Sequence, residues 1–129
     1  MNDAVRTFFT ELETIESAYE FMLAYAAQGR DTDEGAKTSP SIRETLEGLL
    51  AALPAVGPAL AAASPGDAAK DLAGVIAEDA ARAATSVRAA LACTRISSQL
   101  VDNLNASIHL RAVLTGLFLA DEIVQIARG

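Results

Sequence analysis

His109 is the only histidine in the chain. An imidazole titrates near neutral pH, so it could relay a phosphoryl group or act as an acid–base. A phospho-relay histidine in a small helical bundle is followed by Lys at +3 and Gly at +4. Here those positions hold Ala112 and Val113, with Gly116 at +7. The carboxylates offer a second chemistry. Glu13 and Glu16 form one E-x-x-E pair and Glu44 and Glu47 another. Two such pairs on neighbouring helices can hold Mg²⁺ against a phosphate. A phosphate site also needs cations, and the segments carrying the two pairs contain no lysine. A small helical enzyme or phospho-relay module using His109, or a Glu13/Glu16/Glu44/Glu47 metal site, is therefore the alternative expectation.

Other metal chemistry fails on ligand number. A di-iron carboxylate bundle needs Glu-x-x-His on two helices, and the one histidine has Ala106 at −3. Structural zinc needs four His or Cys ligands, and the chain has one of each. No glycine-rich phosphate loop or nucleophile elbow is present. No metal, cofactor or catalytic residue is expected. Cys93 cannot form an internal disulfide because it is alone; its Ala-rich surroundings predict a small buried hydrophobe.

The most informative pattern is a stripe of small residues near the C-terminus. Asp102, Asn105, Ala106, His109, Ala112, Gly116 and Ala120 recur at spacings of three and four. A glycine inside a helix costs about 0.5–1 kcal/mol relative to Ala, so a close approach by another helix should offset it. If that helix belongs to the same chain, the stripe is core packing. If it belongs to a second copy, His109, Ala112, Gly116 and Ala120 form an interface. Leu119, Ile123 and Ile126 point away from Leu114, Leu117 and Val124. Burying both sets favours a homodimer or higher oligomer through the C-terminal helix.

These residues need elements to hold them. Val5, Phe8, Leu12, Ile15, Tyr19, Met22 and Ala26 repeat at helical spacing and predict a first helix from Asp3 to Gln28. Asn2 or Asp3 can cap its start, and Gly29 suits a left-handed stop. Residues 30–39 lack periodicity and predict a flexible loop. Ser39-Pro40, and the overlapping Ser41/Glu44 capping box, start a second helix. Its inward residues run from Ile42 to Leu53, and Pro54 is expected to end it. Ala55–Ala63 is then an apolar connector. Ser64-Pro65 starts a third helix, read as 65–92. A continuous helix from there to the C-terminus would be about 90 Å long, too long for one compact domain. The chain must turn at 94–98 or at 102–105; the earlier break gives a fourth helix over 96–127. The expectation is a single all-α domain over 1–129. Its form is an antiparallel four-helix bundle of three long helices plus one short helix and the connector.

Composition narrows the function classes. Hydrophobic residues make up 51% of the 129 residues but aromatics only 5%, so aliphatic side chains must build the core. The net charge is −7. Residues 1–39 hold eight acidic and three basic groups, which accounts for −5 of it. An acidic chain without a Lys/Arg cluster is repelled by nucleic-acid and anionic lipid phosphates. The N-terminus lacks the pattern of a secretory signal. Gly48–Gly66 is broken by prolines, and Leu110–Ile126 carries Arg111, Asp121 and Glu122, so neither predicts a membrane span. Together these readings predict a cytoplasmic, non-enzymatic, oligomeric bundle that acts by contact with another protein.

Overall fold

In the computed structural model, residues 2–35 and 40–128 are described, and they form five helices with no strand among them. Helix α1 spans Asp3–Ala26, α2 Ile42–Ala63, α3 Asp67–Leu91, α4 Ser98–Ala106 and α5 Ile108–Ala127. Helix α1 packs on α2, α2 on α3 and α3 on α5, while α4 returns to α1. One core runs through all five, with Phe8, Ile15, Met22, Leu46, Leu53, Ile76, Val113 and Leu117 shut off from solvent.

The start signals at the first two helices work as local chemistry requires. The Asn2 side chain accepts from the Val5 N–H at 2.8 Å. Ser41 and Glu44 form the reciprocal box, each side chain accepting from the other's N–H at 3.1 Å. Ser39 lies outside the described residues. The third start differs from expectation: Ser64 is the C-cap of α2, and Gly66, at φ 119°, precedes α3.

Helix α2 is not short. It passes through Pro54 and Pro58 and absorbs the stretch read as a connector. Each proline removes one hydrogen bond from the helix ladder, at about 3 kcal/mol. Both prolines lie on the exposed side. On the opposite side Leu53, Val56, Gly57 and Leu60 are buried, and packing there outweighs the local loss. Gly57 shows how close α3 comes: a Cβ there would lie 2.9 Å from the Ala77 Cβ. By length and mean hydropathy (1.6) α2 could cross a membrane, but the core residues named above lie along it.

The fourth helix expected over 96–127 is two helices: the chain turns at the earlier of the two expected sites and again at Ser107, whereas 102–105, the later expected site, lies inside α4. Ile96 and Ser97 make the first break, and Ser97 caps α4 by accepting from the Leu100 N–H at 3.0 Å. Ser107, extended at ψ 139°, makes the second. Its hydroxyl donates to the Leu104 carbonyl at 2.7 Å, which draws the end of α4 into a turn. The long helices therefore number four, and the short one is α4.

Candidate interaction surfaces

Three regions hold the residues singled out by sequence, or residues of the same chemical types. The first joins the ends of the helices. The Tyr25 hydroxyl donates to the Ile96 carbonyl at 2.6 Å, and the Ser98 hydroxyl donates to the Tyr25 carbonyl at 2.7 Å. The Arg30 N–H donates to the Ser98 hydroxyl, and the Ser98 N–H to the Arg30 carbonyl, both at 2.8 Å. Asp33 accepts from the Ile96 N–H and from Arg43 Nε, each at 2.8 Å. Arg43 also reaches the carbonyls of Leu91 and Cys93. The Arg43 guanidinium, followed by the Ile96 N–H, holds the Asp33 carboxyl below its ordinary range despite burial. Burial pushes the Tyr25 phenol up.

This clasp ties Arg30 and Asp33, in the first part of the stretch expected to be a flexible loop, to the segment around Ile96 and Ser98; residues 36–39 lie outside the described residues. Its residues were not singled out by sequence. Ile96 lies 63 positions from Asp33, Arg43 lies 10 from it, and no periodicity marks the three together. Cys93 is a correction. It lies exposed on the turn after α3 rather than buried, because the helix ends at Leu91 before its side chain can face the core.

The second region is the groove between α1 and α2, about 590 Å³ in volume. Phe21, Leu49 and Gly48 line it, with Glu13 and Glu44 among the lining residues. Of the four glutamates of the two E-x-x-E pairs, only Glu13 and Glu44 line this groove; Glu16 and Glu47 do not. Glu13 and Glu44 share the groove, whereas Glu16 is half-buried and senses Asp121 of α5. Burial, then the nearby charges of Asp121, Glu20 and Glu13, raise the Glu16 carboxyl above its ordinary range. Among the described residues no group of three His, Cys, Asp or Glu side chains could hold a metal ion.

The third region is α5. The stripe from Asp102 to Ala120 is broken at Ser107, so Asp102, Asn105 and Ala106 belong to α4 and only His109, Ala112, Gly116 and Ala120 share α5. His109, Ala112 and Gly116 are half-buried, and Ala120 is fully buried. The close approach that Gly116 calls for is made within the chain: a Cβ there would lie 3.0 Å from Ile76 Cγ1 of α3. Farther round α5 the surface is bare. Leu110, Val113, Leu114, Leu117 and Val124 face the core, while Ile108 is 76% exposed, Phe118 57%, Leu119 55% and Ile126 70%. Ile108, Leu119 and Ile126 fall on one line of the helix, with Ala112 and Ile123 beside it.

Asn105 adds an unusual feature at the end of α4. It is 6% exposed, and neither its Oδ1 nor its Nδ2 has a hydrogen-bond partner among the described residues. Comparison with known proteins found no family model, no curated protein and no solved structure that matches this chain.

Proposed function

We propose that the chain is a non-enzymatic helical-bundle protein that self-associates through the outer face of α5 and works by contact with another protein. The observation that carries the reading is the line of Ile108, Leu119 and Ile126, exposed on a helix whose opposite face is already buried. A contiguous apolar strip in water favours association, and a two-fold dimer would let each copy cover the other's strip. The partner surface need not include Gly116, whose close neighbour is Ile76. The scaffold in this proposal is an antiparallel bundle in which α4 and α5 together form the fourth arm. The carboxylate and His109 alternative gains no support from a groove that only two of the four glutamates line.

Sedimentation at micromolar concentration tests it. The wild-type chain is expected to run as a dimer or larger, and Leu119→Glu with Ile126→Glu as a monomer of unchanged helicity. A wild-type monomer under those conditions would overturn the reading.

A further inference from the structure

We propose that the groove between α1 and α2 receives an amphipathic, basic helix from a partner protein. The inference deepens the interaction reading by naming a partner class, and it can fail separately from self-association through α5.

The groove extends from Thr10 to Phe21 along α1 and from Pro40, just before α2, to Leu49 on it. At 1.5 Å per residue that is about 16 Å, the length of three helical turns. Its walls are more apolar than the sequence suggests. The hydroxyls of Thr10, Thr14 and Thr45 donate to the carbonyls of Arg6, Thr10 and Ser41. Phe21, Ser17 and Gly48 also line it, with Ala18 and Leu49 nearly closed off beneath them.

The charge has one sign. Glu13 and Glu44 are exposed, and among the described residues no Lys, Arg or His lines the groove. Arg43, the nearest cation in sequence, is held by Asp33 and two carbonyls. An apolar floor with a carboxylate on each wall suits a helix that has an apolar stripe flanked by Lys or Arg. A second copy of this chain is a poorer match, because its bare α5 face carries the acidic Glu122 as well as Arg111 and so is not basic.

Gly48 supplies an independent observation. The mid-helix glycines Gly57 and Gly116 are accounted for by neighbours that a Cβ would crowd. At Gly48 a Cβ would meet nothing within 4 Å. Gly74 is equally uncrowded, but it does not line this groove. A glycine inside α2 weakens the helix by about 1 kcal/mol relative to Ala. At Gly48 nothing in the fold offsets that cost, whereas an open groove floor gives the missing side chain a use.

The probe is a fluorescent 16-residue peptide of Leu and Lys at helical spacing, titrated by anisotropy, with a Leu/Glu peptide as control. The wild-type protein should bind the first and not the second. Gly48→Leu fills the groove without altering charge and should weaken binding about tenfold or more, with the melting temperature kept or raised. Glu13→Gln with Glu44→Gln should weaken it about tenfold, while Glu20→Gln with Glu78→Gln, outside the groove, should stay within about twofold. Leu119→Glu should leave peptide binding intact, which separates this inference from the α5 dimer. Wild-type affinity in Gly48→Leu, or equal losses in the two double glutamine variants, would overturn the proposal.

Discussion

The clasp at the helix ends and the flank formed by α4 and α5 use similar residues to opposite effect. In the clasp, Asp33 is met by a guanidinium and a backbone N–H, and the Tyr25 hydroxyl has a carbonyl. On the flank, Asp121 meets the like charge of Glu16 from α1, the Asn105 amide is buried with no partner among the described residues, and aliphatic side chains stand bare. Burial of polar groups is stabilising or costly according to whether a partner is supplied. The difference marks the clasp as structure, and the bare side chains of the flank are the surface that the proposed self-association would cover.

The largest expected effect tests the clasp. Asp33→Ala removes the acceptor of both Arg43 and the Ile96 N–H, and should lower unfolding free energy by about 2 kcal/mol in urea. The ion pair alone would contribute less, because the Asp33 and Arg43 side chains are 16% and 34% exposed. Asp33 has a folded value below its ordinary 3.8, so its contribution is complete above that value and is lost as pH falls through the folded one. Wild type should therefore lose stability below about pH 4, and the variant should lose less. A loss under about 0.5 kcal/mol, typical of a plain surface change, would erase the distinction between the two regions.

How far each region was legible in sequence follows the range of its interactions. Asn2, Ser41 and Glu44 act within one turn, and the inner face of α1 from Val5 to Met22 repeats with the helix period, so these were readable. Pro54 and Ser64 were misleading, since a local stop rule cannot register the contact between Gly57 and Ala77 that carries α2 onward. The clasp was invisible because, apart from the Asp33–Arg43 pair ten positions apart, its bonds link positions 48 to 73 apart. Inner and outer residues of α5 were separable by spacing, and burial follows that division. Yet the partner of Gly116, Ile76, could only be found in three dimensions.

A smaller effect, of opposite sign, is expected at the end of α4. Leu nearly matches the shape of Asn105 and has no polar atoms to desolvate, so Asn105→Leu should raise unfolding free energy by about 1 kcal/mol. Thermal unfolding followed by circular dichroism reads the change. A lower melting temperature would mean that the amide is satisfied in solution, which would move Asn105 from the unanswered region to the answered one.

The smallest effect concerns Glu16. Its carboxyl is raised first by burial and then by Asp121, Glu20 and Glu13, so the fold favours the protonated form. A group raised above its ordinary 4.5 leaves the fold least burdened below that value, and the cost grows as pH rises through the folded value. Glu16→Gln removes the charge while keeping the side-chain length, and should stabilise the protein at pH 7 by about 0.5 kcal/mol. At pH 4 the variant and wild type should differ less. The gain should also shrink in high salt to the extent that Asp121 repulsion contributes, whereas the part due to burial should persist. A destabilised Glu16→Gln at pH 7 would show that the carboxylate has a favourable partner there, and the contrast with Asp33 would then rest on Asn105 alone.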